Sequence, residues 1–215
     1  MVNSRGGSPV YSSMIGQRIL SFVDQHKVPY YTFAEDVAAS GGQWLISSGH
    51  YSYASANSLV GSIGVISGQA AARKILSENQ ISQTHVTTSE NLIEYKLNPM
   101  RVDEVSDENV EWSRRIQDSI FVEFEKFIRK QRGDKLDQSK LEQIFSADVF
   151  SGVKAKELGL IDEIGLCEPV MKEKFPGVEI KNFSKKNVFE DIQQNIEQST
   201  RSMVGKALLA QILRQ

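Results

Sequence analysis

The hydrophobic positions of the chain fall into periodic stretches that predict several helices. Apolar residues recur at helical spacing between a Gly-Gly-Ser-Pro turn and Pro29, which predicts a helix over about residues 10–25. A longer pattern ends just before Gly133 and predicts a helix over about residues 106–132. The basic residues in its last turn interact favourably with the negative end of the helix dipole, so no bound ligand is needed to explain them. Shorter helices are predicted over residues 69–76, 138–145 and 151–158.

Short runs rich in aromatic and β-branched residues lie between these helices and predict strands. The predicted strands are residues 30–34, 51–56, 63–66, 84–88 and 160–162. Strands that alternate with helices are typical of βαβ units, in which a partly parallel sheet is covered on both faces. The pattern therefore predicts an α/β domain over residues 1–183. Residues 184–215 are more polar, and their loosely spaced apolar positions predict an amphipathic helical tail that packs on the protein or on a partner.

Composition and charge narrow the classes of protein that remain. The 215 residues carry 25 Lys+Arg and 27 Asp+Glu, a net charge of −2, so we expect no nucleic-acid partner. No apolar run approaches the length of a membrane span, and the single cysteine, Cys167, cannot form an intrachain disulfide. The sequence starts with neither a basic segment nor an apolar one, as a secretory signal would, and we expect it to begin within a domain.

Glycine-serine clusters are the strongest candidates for chemistry. A serine at a sharp turn between a strand and a helix presents its hydroxyl beside free N–H groups that can stabilise an oxyanion. Ser40 occupies such a position, although serine is also a common helix cap. A nucleophilic serine needs a base, and the candidates are His26, His50, His85 or a lysine with a lowered pKa.

Other kinds of site find no support in the motifs. The chain has no His-x-x-x-His motif and no cysteine pair, so we expect no metal. It lacks a Walker A motif and a dinucleotide fingerprint, and we expect no cofactor. Ala38 also excludes the Gly-x-Ser-x-Gly elbow of α/β-hydrolases.

Four motifs, in order, resemble those of one peptidase family. They are Asn3-Ser-Arg-Gly-Gly-Ser, Val37-Ala-Ala-Ser-Gly-Gly, Ser58-Leu-Val-Gly-Ser-Ile-Gly-Val-Ile and Ala155-Lys-Glu-Leu-Gly-Leu-Ile-Asp-Glu-Ile-Gly165. Together they are similar to the signal peptide peptidase A, or protease IV, family of serine peptidases. The similarity covers about residues 3–175. It implies a Clp-protease and crotonase-like fold of repeated ββα units, here without the strands that normally precede the first motif.

The resemblance also implies a Ser-Lys dyad. The family's nucleophile matches Ser40, and its base matches Lys96, in the segment Asn91-Leu-Ile-Glu-Tyr-Lys. Ser62 matches a second serine that orients the lysine. The candidate oxyanion donors are the backbone N–H groups of Gly6, Gly7 and Gly41. Three positions depart from the family pattern: Arg5 replaces a proline, Gln43-Trp44 replaces an aromatic pair, and Glu94 replaces a glycine.

By resemblance, the chain is expected to be a serine endopeptidase that cleaves signal-peptide remnants or unfolded, membrane-derived peptides. The same resemblance implies a homo-oligomer and peripheral association with a membrane. A second hypothesis is a catalytically inactive, truncated relative that serves as a subunit or a peptide-binding module. A third is a crotonase-type enzyme that acts on a thioester, in which case Ser40 and Lys96 would have no catalytic role.

Overall fold

The computed structural model of the protein describes residues 1–67, 78–79 and 107–183. The chain divides into two compact units, Met1–Lys174 and Phe175–Gln215. All the helices and strands given below belong to the first unit. The helix predicted over 69–76, the strand over 84–88 and the tail over 184–215 lie outside the described residues. The boundary between domain and tail therefore stays a prediction.

Two long helices confirm the strongest periodic patterns. The first helix, α1, spans Pro9–His26, and the Ser8 side chain caps it by accepting from the N–H of Tyr11 at 3.5 Å. The described helices are α1, α2 (Gly41–Ser47), α3 (Asp107–Arg132), α4 (Leu141–Ile144), α5 (Gly152–Glu157) and α6 (Cys167–Lys174). In the described part of the chain, none of them has both the length and the apolar character that a membrane-crossing helix needs.

The strands form one mixed sheet. They are β1 (Val2–Ser4), β2 (Tyr31–Ala39), β3 (Tyr51–Ala54), β4 (Leu59–Gly61), β5 (Val149–Ser151) and β6 (Glu163–Ile164). The order is β5-β4-β2-β3-β6, with β1 also paired to β2. Within the described part of the chain, the pairings are parallel except that of β4 with β5. The described chain is thus mixed α/β, as the alternation of patterns predicted.

Two of the strands were predicted at the wrong positions. Residues 63–66 form no strand, because pairing ends at Gly61 and the backbone then turns at Ser62, whose φ is +52°. The strand predicted over 160–162 is observed at Glu163–Ile164. Leu160 and Ile161 are instead buried core residues just before it. The three-residue strands β1 and β5 were not predicted, because so short a run carries no clear alternation.

The apolar stripe of α1 is largely exposed to solvent. Met14 and Phe22 have exposed fractions of 60% and 55%, whereas Ser12, Gly16 and Val23 are buried. The small residues face α2: a Cβ on Gly16 would lie 3.5 Å from Cδ1 of Trp44. The close approach of α1 to α2 therefore decides which face of α1 is buried. Hydrophobic periodicity alone does not reveal this face.

A buried ion pair joins the end of α3 to the sheet. Arg132 has an exposed fraction of 2% and donates from Nη1 to Asp162 Oδ2 at 2.9 Å and from Nε to the Gly159 carbonyl at 2.9 Å. Asp162 also accepts from the Ser52 N–H at 2.8 Å and from Lys135 Nζ at 2.6 Å. Asp162, which its sequence context suggests as a turn or cap residue, is thus the centre of a network linking α3, β3 and the segment before β6.

Because of this network, we expect the stability of the protein to decrease as the pH becomes acidic. Burial alone would raise the pKa of Asp162, but hydrogen bonds from Arg132, Lys135 and Ser52 outweigh it and hold the pKa well below its ordinary value of 3.8. A carboxyl group with a lowered pKa stabilises the fold above its unfolded-state pKa, and that contribution is lost as the pH falls towards the folded-state pKa.

We therefore expect the free energy of unfolding to fall below about pH 4, with Asp162 contributing a slope of at most about 1.4 kcal/mol per pH unit. Asp162→Asn should lose that part of the slope, although it also lowers stability at neutral pH. The measurement is urea unfolding at a series of pH values from about 6 down to about 2. Equal pH slopes for the wild type and Asp162→Asn would contradict the prediction.

Candidate active site

Strand β2 leads directly into a strained turn at Ser40. Ser40 has φ +52° and ψ −117°, and its carbonyl accepts from the Trp44 N–H at 3.0 Å as α2 begins. A positive φ is costly for any residue other than glycine and clusters at functional sites. The Ser40 side chain makes no capping hydrogen bond to α2. The Ser40 hydroxyl therefore does not cap the N-terminus of α2, which is the simplest structural role for a serine at this position.

The turn after β1 lies against Ser40. Ser4 is in register with Ala38, so the glycines that follow β1 run beside the residues that follow β2. Gly6 has φ +107°, and a Cβ placed on it would lie 2.7 Å from Ser40 Cβ and 3.1 Å from Ser40 Oγ. Only glycine can both adopt this backbone angle and leave room for the serine.

The predicted oxyanion donors differ in their hydrogen bonds. The N–H of Gly6 donates to Ser4 Oγ at 3.1 Å. Gly41 is the first residue of α2, whose opening N–H groups have no partner within the helix. Gly7 and Gly41 line one cavity with Ser40. The oxyanion role stays a prediction for all three glycines, and for Gly6 it would require its N–H to leave Ser4.

Ser62 lies in the same cavity as Ser40 although 22 positions separate them in sequence. Parallel pairing of β2 with β4 places Ala39 opposite Gly61, and the Ser40 N–H donates to the Gly61 carbonyl at 2.8 Å. Ser62 is also held at φ +52°, and its N–H donates to the Asp148 carbonyl at 2.6 Å. The two serines thus follow the ends of adjacent parallel strands.

Gln43 connects the helix that follows Ser40 to Gly61, the residue before Ser62, and the sequence did not reveal this. Its side chain is fully buried, and its Oε1 accepts from the Gly61 N–H at 3.0 Å. Its Nε2 donates to Ser47 Oγ at 2.9 Å. The amide therefore ties α2 to β4 beside the cavity. A glutamine in a short helix usually faces solvent, so no local pattern distinguishes this position.

The cavity shared by the two serines has a volume of about 390 Å³. One of its walls is apolar, because Trp44, Phe124 and Ile66 line it. The rings of Trp44 and Phe124 stack with centroids 4.7 Å apart. Such a wall suits an apolar side chain of a ligand.

The structure separates two of the candidate bases from Ser40. His26 ends α1 and packs on Phe22, with ring centroids 4.4 Å apart, and His50 Nδ1 accepts from the Tyr30 N–H at 3.1 Å. Neither histidine lines the Ser40 cavity. His85 and Lys96 lie outside the described residues, as does Glu94. Among the residues that are described, no group of three or more His, Cys, Asp or Glu side chains could hold a metal ion.

Comparison with known proteins identifies the family to which the chain belongs. The sequence profile of "Peptidase family S49" matches residues 23–181, which include Ser40, Ser62 and α3. The chain belongs to peptidase family S49. Peptidases named signal peptide peptidase and protease are among the similar proteins, in agreement with the motif resemblance.

The S49 chain is similar to parts of longer proteins. It is 28% identical over 207 residues to a Brucella abortus protein named "Na(+)/H(+) antiporter NhaA", covering 96% of the chain and 26% of that protein. It is 24% identical to a "Putative signal peptide peptidase SppA" of Enterococcus faecium, covering 79% of the chain and 47% of that protein. With "Protease 4" of Haemophilus influenzae the identity is 27%, covering 76% of the chain and 25% of that protein. The S49 chain thus spans from about a quarter to a half of these relatives.

Proposed function

We propose that this S49 chain is a serine peptidase that hydrolyses peptide bonds by acyl transfer, with Ser40 as the nucleophile. The observation that carries the proposal is the strained Ser40 turn, which opens onto a cavity shared with Ser62. A serine held at an unfavourable φ, with its hydroxyl free of a capping role, is the arrangement that a nucleophile at a strand-to-helix turn requires.

The base in this proposal is Lys96, by resemblance to the family's dyad. Neutral Lys96 takes the Ser40 proton, and Oγ forms a bond to the peptide carbonyl carbon. The C–N bond then breaks, and the proton passes from Lys96 to the leaving amine. Water next gives a proton to Lys96 and attacks the acyl carbon, and the bond between that carbon and Ser40 Oγ breaks. Lys96 returns the proton to Oγ, which releases the acid and restores Ser40 and neutral Lys96. This role requires the pKa of Lys96 to fall from about 10.4 to about 7–8.

The remaining groups stabilise and orient the reacting atoms. The N–H groups of Gly7 and Gly41 hold the oxyanion, and the Ser62 hydroxyl orients the lysine. Gln43 accepts a hydrogen bond from the Gly61 N–H, and the Gly61 carbonyl accepts one from the Ser40 N–H. Gln43 is therefore a positioning residue, which helps to set the distance between Ser40 and Ser62. We propose a Clp/crotonase-like scaffold, which the nearly all-parallel sheet and the strand-serine-helix order support.

The proposed substrates are peptides with small or apolar residues near the cleaved bond. The apolar wall of the cavity supports this, and so does the name of the Enterococcus relative. We also propose that the chain forms a homo-oligomer and associates peripherally with a membrane. Exposed apolar side chains on α1, such as Tyr11 and Met14, support a contact surface of this kind.

The test is covalent labelling of the chain with a fluorophosphonate, read by intact mass. Wild type should gain one adduct, Ser40→Ala none, and Lys96→Met should react at least about 100-fold more slowly because the base is gone. Matched controls are Ser21→Ala, an exposed serine of α1, and Lys172→Met, an exposed lysine of α6. Both controls should label like the wild type.

Circular dichroism of every variant shows whether the loss of labelling is a loss of structure. If the wild type is folded and stays unlabelled, the peptidase proposal fails. The inactive, peptide-binding subunit is then the better description. Labelling that survives Ser40→Ala would instead move the nucleophile to another serine.

A further inference from the structure

Among the described residues that line the Ser40 cavity, one is charged. Of the twelve residues that the structure places around it, eleven are uncharged and the twelfth is Arg5. The apolar part of the lining lies with Trp44, Phe124 and Ile66, whereas Arg5 directly precedes Gly6, the residue in contact with Ser40. The described lining of the cavity therefore combines apolar side chains with one cationic residue that directly precedes the glycine in contact with Ser40.

The Arg5 guanidinium is available to a ligand. The residue is exposed, and none of the ion pairs found between described residues includes it. Glu35 and Asp36, which directly precede the Val37-Ala-Ala-Ser-Gly-Gly motif, line a different cavity. An exposed arginine side chain that makes no ion pair with the described residues, next to Ser40, can reach substrate groups on either side of the bond to be cleaved.

We propose that Arg5 binds a carboxylate of the substrate next to the scissile bond, so that the cavity selects peptides with an apolar residue and a carboxylate close together. This inference rests on the proposed peptidase function and specifies its substrate class. A guanidinium pairs with a carboxylate through two parallel hydrogen bonds, which fix the position of the bound peptide as well as its charge.

The carboxylate has two possible sources, a side chain of Asp or Glu or the C-terminus of the peptide. Two peptide pairs distinguish them. The first pair differs only by Asp or Asn next to the cleaved bond, and the second only by a free or amidated C-terminus one or two residues beyond it. The wild type should cleave the acid of at least one pair with a kcat/KM about tenfold higher than the amide, as expected for one charge-assisted pair.

Variants of Arg5 test whether this residue causes the preference. Arg5→Ala should bring the acid-to-amide ratio to about one, and Arg5→Glu should invert it. Arg5→Lys should keep part of the preference for the acid, since the positive charge remains but the bidentate hydrogen bonding is lost. Arg18→Ala, an exposed arginine of α1 outside the cavity lining, is the matched control and should keep the wild-type ratio. Because each ratio is measured within one variant, a partly unfolded sample does not change it.

A binding experiment separates this inference from the proposed function. Fluorescence anisotropy of the same labelled peptides, with the Ser40→Ala protein, measures affinity without cleavage. A dissociation constant about tenfold lower for the acid, lost in the Ser40→Ala, Arg5→Ala double variant, supports the inference even if the wild type proves inactive. Equal constants for acid and amide in both pairs would overturn it, and so would a preference that persists after Arg5→Ala. Failure of fluorophosphonate labelling alone would overturn only the peptidase function.

Discussion

Gly6→Ala is expected to slow the acylation of Ser40 about 100-fold, because displacing a nucleophile by even an ångström can cost that much. The new Cβ would lie 2.7 Å from Ser40 Cβ, a distance that requires one of the two segments to move. The backbone adds to the effect, since φ at this position is +107°. The measurement is the rate of fluorophosphonate labelling of folded protein, followed by intact mass.

Gly133→Ala is the matched control for this substitution. Gly133 also has a positive φ, +49°, but a Cβ there meets no atom within 4 Å. We expect a cost of about 1 kcal/mol in the free energy of unfolding and an unchanged labelling rate. If Gly6→Ala labels as fast as Gly133→Ala, the contact between the β1 turn and Ser40 has no role in the reaction.

Arg132→Ala is expected to lower the free energy of unfolding by about 3 kcal/mol or more, because it leaves Asp162 without its buried partner. The substitution removes donors to Asp162, to Ser52 Oγ and to the Gly159 carbonyl at once. Since these acceptors belong to β3 and to the segment before β6, the substitution removes the hydrogen bonds that connect the end of α3 to them. Urea unfolding at neutral pH measures the loss of stability.

Arg114→Ala provides the comparison on the same helix. Arg114 lies 3.7 Å from Glu111, and their side chains have exposed fractions of 66% and 55%. We expect a change below about 0.5 kcal/mol for this exposed pair. The double variant Arg132→Ala, Asp162→Ala should lose less stability than the sum of the two single variants, by about 1–3 kcal/mol. A loss below about 1 kcal/mol for Arg132→Ala alone would show that the pair contributes little to stability.

The ends of α1, α3 and α5 could be predicted from the sequence, and the ends of the strands could not. The helix predicted over 138–145 is observed as a 3-10 turn at Gln138–Lys140 followed by α4, and α6 was not predicted. The helix α1 begins after Ser8, and α5 begins after Ser151, whose side chain accepts from the Lys154 N–H at 3.3 Å. These interactions connect residues three positions apart, so they are visible in the sequence. By contrast, β4 ends at Gly61 because of its pairing with β2 and β5, which are distant along the chain.

The candidate site was predicted from motifs, and part of it from resemblance alone. Ser40 could be singled out as a serine at a strand-to-helix turn, and the structure places Ser62, Gly7 and Gly41 at the same cavity. Their catalytic roles stay predictions. Gln43 escaped prediction, because its importance lies in its burial and in its hydrogen bond to the Gly61 N–H, neither of which has a local signature.

The sequence by itself determined the α/β class, the two long helices, the glycine-serine turns and the peptidase family. The class, the helices and the turns depend on hydrophobic spacing, on caps and on backbone angles, all of which involve neighbours along the chain. The family was inferred from the resemblance of four motifs. The tertiary structure alone decided that α1 buries Ser12 and Gly16 rather than its apolar stripe, and that Arg132 pairs with Asp162. Burial and pairing depend on residues brought together from distant parts of the chain, and only the packed fold specifies which ones meet.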